Sequence, residues 1–240
     1  RLDIIKKYGT KCATTDFSIL LGGCVSKDYH TSEGYTKKDR TGWWWTKSYD
    51  GNDNVRAVDV SGINDWFYVD VRDGGARPAI TYSSIQSKCS NAVITSKGIK
   101  EIEYGEYPQT IVAEDYSREL EKTYNNGNLS RTGKSYTTDF INRQAVNTSF
   151  NARTHTEYEY NGSKYIRFVG DLNCVEMDLS DGRKTKLGIP YWVQVEPITW
   201  LVDEKADIAL SKKILFSGVR FKNERYYKGD FDRSDIKQFM

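Results

Sequence analysis

The dipeptide Asn161-Gly162, in the stretch EYEYNGSKYIRFVG, constrains the fold more than any other feature of this sequence. Alternating residues flank it on both sides, and Asn-Gly is the strongest short-range signal for a two-residue hairpin. The stretch YWVQVEPITWLVDEKADIALSKKIL predicts two or three further strands, broken at Pro197 and around Lys205. LSDGRK predicts another tight turn. Most of the chain therefore has the pattern of strands joined by short turns.

Helical signals are few. AEDYSRELEKTYNNGN has acidic residues at its start, Leu120 and Tyr124 four apart, and an Asn-Gly stop, which predicts a helix over residues 114–125. RSDIKQFM predicts a second helix capped near Ser234, and LDIIKKYG, closed by Gly9, a third. Two or three short helices beside mostly antiparallel strands and irregular loops define an α+β fold.

Four of the six tryptophans lie in GWWWTKSYDGNDNVRAVDVSGINDWFYVDVRDGGARPAI, residues 42–80. Side chains alternate along a strand, so within residues 43–45 we expect one face to pack on the core and the other to line a surface. We expect Gly74 and Gly75 to allow a sharp turn into a closing strand that contains Arg77 and Pro78.

Aromatic residues are abundant, with 17 Tyr, 6 Trp and 9 Phe. Large rigid aromatics among short polar side chains are typical of binding surfaces, because they give contact area at low entropic cost. The alternative is an all-β protein in which aromatic residues pair across strands. Both interpretations stay open on composition alone.

Charge and hydropathy exclude two classes of partner. The 35 basic and 33 acidic residues nearly cancel, whereas a dedicated nucleic-acid binder carries a concentrated basic face. We find no run of about 18 apolar residues that would span a membrane. The sequence starts at Arg1 without an apolar signal stretch, so we expect either missing residues upstream or a processed end. We therefore expect neither a nucleic-acid partner nor a membrane span.

The cysteines Cys12, Cys24, Cys89 and Cys174 have no metal-ligand spacing, and we interpret them as reduced core residues. Reduced cysteines favour a cytoplasmic location, while the cell surface and a phage particle stay open. The oligomeric state is left undetermined.

Catalytic motifs are absent from the sequence. His30 and His155 lie in polar contexts without an HExxH-type partner, and there is no GxSxG, P-loop or GxGxxG. No carboxylate pair stands out for glycosidase chemistry. We therefore expect no enzyme activity, no catalytic residue and no cofactor.

One segment resembles a metal loop. Asp50, Asn52 and Asn54 alternate like the start of a calcium site, but Val55 replaces the required glycine and Ser61 the bidentate glutamate. We therefore expect a solvated turn there and no bound metal.

Three stretches of the N-terminal segment, GWWWTKS, VRAVDVSG and GGARPAI, resemble the final third of a C-type-lectin-like domain of the formylglycine-generating-enzyme type. Diversity-generating retroelement variable proteins use this part as their ligand-binding region. EYGEYPQT (103–110), VEPITWLVDEKADIALSKKILF (195–216) and FDRSDIKQFM (231–240) resemble the opening two thirds of a related bacterial domain of unknown function.

The order of these motifs is reversed relative to the family. Residues 1–80 resemble its C-terminal part and residues 102–240 its N-terminal part, separated by a Ser-rich linker at 81–101. We therefore expect one circularly permuted C-type-lectin-like domain over 1–240, which compact domains with neighbouring termini tolerate. Fragments of two neighbouring domains are the alternative.

The resemblance implies a non-enzymatic ligand-binding protein, a diversified variable protein whose ligand is a protein. The enzyme's chemistry does not carry over, because its cysteine pair is absent from residues 42–80. The alternative is a carbohydrate-binding or catalytic member of the same superfold. The expected binding face comprises Trp45, Tyr49, Asp50, Asn52, Asn54, Asp59, Ser61, Asn64, Asp65, Trp66, Tyr68, Asp70 and Asp73.

Overall fold

The structure is a computed structural model. It describes residues 11–23, 25, 40–49, 54–59, 62, 64–68, 74–140, 151–170 and 177–218. The helices expected within residues 2–9 and from Ser234 onward lie outside these ranges. The described residues form mostly antiparallel sheets with two short helices, a mostly β variety of the α+β class.

The larger sheet has eight antiparallel strands. They are β7 (Ala79–Thr81), β8 (Ser90–Ile94), β9 (Lys100–Ile111), β10 (Ser130–Phe140), β11 (Asn151–Tyr160), β12 (Ser163–Val169), β13 (Pro190–Asp203) and β14 (Ile208–Ser211). The order β10-β11-β12-β13-β14-β7 is extended by β9, which pairs with β13, and β8, which pairs with β9. The long strand β13 is therefore the spine of the sheet.

The smaller sheet has five strands in the order β15-β6-β3-β4-β5. They are β3 (Trp44–Tyr49), β4 (Asn54–Val58), β5 (Asn64–Tyr68), β6 (Gly75–Ala76) and β15 (Phe216–Ser217). β3 and β6 run parallel, and the other pairs are antiparallel. A separate short pair joins β1 (Cys12–Ala13) to β2 (Thr41–Gly42).

Local sequence signals predicted several elements correctly. Helix α2 (Glu114–Asn125) has the predicted bounds, with acidic residues in its first turn, and it follows the five-residue helix α1 (Asp16–Leu20) in the chain. The predicted hairpin joins β11 to β12, and Asn161 and Gly162 both have positive φ, as a two-residue turn that matches strand twist requires. The tight turn in LSDGRK is also confirmed.

The predicted strand break at Pro197 is wrong, whereas the break around Lys205 is confirmed by the turn between β13 and β14. On one side of β13, β12 is its partner up to Gln194 and β14 is its partner from Trp200 onward. Around Pro197, β13 therefore pairs only with β9, on its other side. A proline is tolerated at such a local edge. The Gln109 side-chain amide donates to the carbonyls of Glu196 and Pro197 at 3.1 and 2.9 Å and stabilises the irregular register there.

The larger sheet is covered on both faces. Helix α2 packs one face through Leu120, with Tyr158, Tyr165 and Trp192 from the strands. The opposite face packs on α1 and the smaller sheet in a cluster that includes Phe17, Trp43, Trp45, Val55, Ala57, Ala76, Ile111, Ile166, Phe168, Tyr191, Val193 and Phe216. Residues from the segments 1–80 and 102–240 therefore share one core.

The chain crosses between the two sheets along GGARPAIT. β6 pairs with β15 in the smaller sheet, and β7 pairs with β14 in the larger one. Between them, Arg77 Nε donates to the Ser211 carbonyl at 2.7 Å, and the Ser211 N–H donates to the Pro78 carbonyl at 2.9 Å. The segment expected as a linker, residues 81–101, contains β8, whose side chains are all exposed.

Candidate functional site

The β4–β5 hairpin of the smaller sheet contains the exposed aromatic residues of the predicted face. Asn54 pairs with Tyr68, and Arg56 pairs with Trp66. Because directly paired residues of an antiparallel ladder point to the same side, these four residues lie on one face of the sheet. We call this the β4–β5 face.

The opposite side of the hairpin is fixed in the core. Val55 and Ala57 are fully buried. Phe67 stacks on Trp43 with ring centroids 4.5 Å apart and meets Trp45 edge-on at 6.4 Å. Such aromatic packing adds to the stabilisation from buried area. The β4–β5 face is therefore built on a rigid support.

On the outer side, Trp66 is 41% exposed and Tyr68 is 54% exposed. The Arg56 guanidinium carbon lies 4.6 Å from the centre of the Trp66 ring, within the range of a cation–π contact. The Thr46 hydroxyl donates to the Arg56 carbonyl at 2.7 Å and holds that strand in place. The face thus presents two partly exposed aromatic rings beside a cation.

The expectation that one face of the tryptophan strand lines a surface is wrong. Trp43 and Trp45 pack in the main core, and Trp44 is buried on the other side against Cys12, Val58 and Ile214. The segments that carry Cys12 and Ile214 cover this end of the sheet, so all three indoles are buried. Trp45 therefore does not belong to the exposed face.

The two glycines before the closing strand have a different role from the expected one. Neither has positive φ. A Cβ at Gly74 would overlap the indoles of Trp43 and Trp45, and one at Gly75 would overlap Ile214. They allow close packing against the tryptophans rather than a turn that only glycine could make.

The other expected face residues divide into three groups. Asn54 and Asp59 are half-buried. Tyr49, Asn64 and Asp65 lie on strands, at register positions opposite Val55, Val58 and Ala57. Asp50, Asn52, Ser61, Asp70 and Asp73 lie outside the described residues.

Sequence reasoning missed Arg56 as part of the face. Its signal is the alternation in NVRAV, where Val55 and Ala57 are buried and Arg56 must point the other way. Its position opposite Trp66 depends on the register of the hairpin, which the sequence alone did not define.

Of the two histidines, His30 lies outside the described residues. His155 is buried between Phe17 and Phe168. Its Nε2 lies 2.9 Å from the Thr138 hydroxyl and its Nδ1 3.4 Å from the Arg167 carbonyl. Burial lowers the pKa of His155, so the imidazole is neutral at neutral pH. Both ring nitrogens have hydrogen-bond partners within the fold.

A buried carboxylate lies two residues further along β11. Glu157 is fully buried, and its two oxygens accept hydrogen bonds from the hydroxyls of Tyr136 at 2.6 Å and Thr132 at 2.7 Å. Burial and the hydrogen bond to the Glu157 carboxylate raise the pKa of Tyr136, which therefore keeps its proton. The group links β10 to β11 within the fold.

Among the residues described, no group of three or more His, Cys, Asp or Glu side chains could hold a metal ion. Cys12 and Cys89 are thiols, and burial raises the pKa of Cys12 to about 11. Within the described ranges, no helix has the length and apolar character needed to cross a membrane.

A comparison of the chain with protein-family models, curated proteins and solved structures found no match.

Proposed function

We propose that this protein is a non-enzymatic ligand-binding module that contacts a protein partner through the β4–β5 face. The observation that carries the proposal is the exposure of Trp66 and Tyr68 on regular strands whose other side is fixed in the core. Interface hot spots are enriched in Trp, Tyr and Arg, and this face contains all three. A rigid support lowers the entropic cost of binding.

We further propose that the chain is one circularly permuted domain of C-type-lectin-like fold. The core shared by the segments 1–80 and 102–240 supports this, as do the strand pairs β6–β15 and β7–β14. In this proposal, residues 43–73 are the diversified region of a retroelement variable protein. Sequences of the same locus in sibling strains should then differ mainly within residues 48–74.

The main test compares Trp66→Ala with the parent protein. Proteins retained on the immobilised parent chain are identified, purified and titrated against both forms. We expect affinity to fall by about 2 kcal/mol, or about thirtyfold, if Trp66 is an anchor. Because Trp66 is partly exposed, the free energy of unfolding should fall by less than about 1 kcal/mol.

Val93→Ala is the matched control, since Val93 is an exposed apolar residue on β8 of the other sheet. It should leave affinity unchanged. If the folded Trp66→Ala protein binds the partner with the same affinity as the parent, the proposal that the β4–β5 face contacts the partner is refuted. A ligand that proves to be an oligosaccharide would favour the carbohydrate-binding alternative.

A further inference from the structure

A cleft of about 540 Å³ lies between the N-terminal half of α2 and the segment 183–191. The volume falls within the range of about 300 to 1,000 Å³ found for small-molecule sites. Ser117, Arg118 and Glu121 line one wall, and Lys184, Lys186 and Ile189 line the other. We call it the α2 cleft.

Glu121, on the helix wall of the cleft, is already paired with a cation. Glu121 accepts three hydrogen bonds from Arg167, at 2.7 Å from Nη2 and at 2.9 and 3.2 Å from Nε. It also accepts one from the Trp192 indole at 3.0 Å. These contacts, led by the Arg167 hydrogen bonds, lower the pKa of Glu121. Arg118 pairs with two acids of its own helix, Glu114 and Asp115. Both carboxylates that line the cleft, Glu114 and Glu121, therefore have a basic partner.

The facing wall carries lysines on a fixed backbone. The Lys186 N–H donates to the Tyr191 hydroxyl at 2.8 Å, and that hydroxyl donates to the Lys184 carbonyl at 3.2 Å. Within the described part of the chain, no carboxylate pairs with the Lys186 ammonium. Lys186 is thus held at the cleft by its backbone and is available to an anion.

The helix wall supplies a second, independent feature. Ser117 is only 7% exposed, yet its hydroxyl has no hydrogen-bond partner among the described residues. The hydroxyl lines the cleft and keeps contact with solvent there, so a ligand oxygen in the cleft can form a hydrogen bond with it. The helix cap, Ala113, also provides no side-chain acceptor for the first-turn N–H groups, which favour negative charge.

The mouth of the cleft is apolar on one side. Ile189 is 45% exposed, and its carbonyl accepts from the Gly170 N–H at 2.9 Å, which fixes its position. Burying its exposed surface against an apolar group would be favourable.

We propose that the α2 cleft binds a small amphipathic anion, in which a phosphate or carboxylate group contacts Lys186 and the Ser117 hydroxyl while a short apolar part covers Ile189. This site is separate from the β4–β5 face and does not depend on it.

The test is an NMR titration of the full chain with four probes: phenyl phosphate, benzoate, inorganic phosphate and neutral benzyl alcohol. We expect shifts concentrated at residues 114–121 and 183–191, with at least one aromatic anion binding more tightly than inorganic phosphate and than benzyl alcohol. Whether phenyl phosphate or benzoate binds better identifies the anionic group.

Variants separate the contributions. Lys186→Glu should weaken binding by at least about tenfold, because attraction is replaced by repulsion. Lys97→Glu, at an exposed turn of β8–β9, is the charge-matched control and should have no effect. Ile189→Ala should weaken the binding of phenyl phosphate but not that of inorganic phosphate. Ser117→Ala should weaken the binding of both.

Three results would overturn the proposal. The first is the absence of shifts with any anion up to about 10 mM, the weak end of specific affinity. The second is equal binding to the parent and Lys186→Glu proteins. The third is an equal effect of Lys186→Glu and Lys97→Glu on binding. Circular dichroism of each variant checks the fold. Binding of phenyl phosphate to the Trp66→Ala protein should be unchanged, so failure at one site does not decide the other.

Discussion

Replacing Asp16 by Ala should destabilise the whole molecule, because this buried carboxylate joins segments that are distant in the chain. It pairs with the Arg40 guanidinium at 2.6 Å. It accepts from the Ile111 N–H at 2.9 Å, the Ser180 N–H at 2.8 Å and the Ser180 hydroxyl at 2.5 Å. One side chain therefore ties α1 to the start of β2, the end of β9 and the turn at Ser180.

The magnitude follows from what the substitution leaves behind. Asp16 is 1% exposed, so its partners lose their acceptor where little water can replace it. Removing one partner of a buried pair costs about 3 to 5 kcal/mol. At about 2 to 4 °C per kcal/mol for a chain of this size, Tm should fall by roughly 6 to 20 °C.

The assay is urea unfolding, followed by far-UV circular dichroism and by tryptophan fluorescence, together with a thermal scan. Glu204→Ala is the matched control, because Glu204 is an exposed partner of Lys100, and it should cost less than about 1 kcal/mol. A Tm change of less than about 2 °C for Asp16→Ala would refute the reasoning, since that corresponds to about 1 kcal/mol or less. Two separate transitions in the parent protein would contradict the single shared core.

Two further predictions concern burial. Burial lowers the pKa of His155 in the folded state, so below about pH 6.5 the unfolded chain binds more protons than the folded chain. The free energy of unfolding should therefore fall as the pH decreases from about 6.5, by up to about 1.4 kcal/mol per pH unit. Urea unfolding at pH 7.5, 6.5 and 5.5 should give a shallower pH dependence for His155→Gln, and equal dependence would argue against this role. Gly74→Ala should lower the free energy of unfolding by about 1 to 3 kcal/mol, because the added Cβ overlaps Trp43 and Trp45. Gly98→Ala is the comparison variant. Gly98 has positive φ but open space around it, so this change tests backbone strain without crowding. Unchanged stability of Gly74→Ala would contradict the close packing.

Elements defined by neighbouring residues were predictable from the sequence. The bounds of α2 follow from acidic residues at its start and an Asn-Gly stop at its end. The β11–β12 turn follows from Asn161-Gly162, which adopts positive φ with little strain. In both cases the decisive interactions lie within a few residues of each other, so no knowledge of the rest of the fold was needed.

The candidate face was predictable in part. The pattern of aromatic and short polar residues indicated the region, and Trp66 and Tyr68 are exposed there. Trp45 was assigned to the face because alternation alone suggested one exposed side. Arg56 was missed because its contact with Trp66 depends on how β4 and β5 pair.

Only the tertiary structure decided what covers each surface. Trp44 is buried because the chain near Cys12 and Ile214 packs on the second side of its strand. Pro197 stays within β13 because β12 and β14 leave a gap beside it. Alternation tells which residues share a face, but whether that face meets water depends on segments that are distant in sequence, and their position is fixed only when the whole core forms.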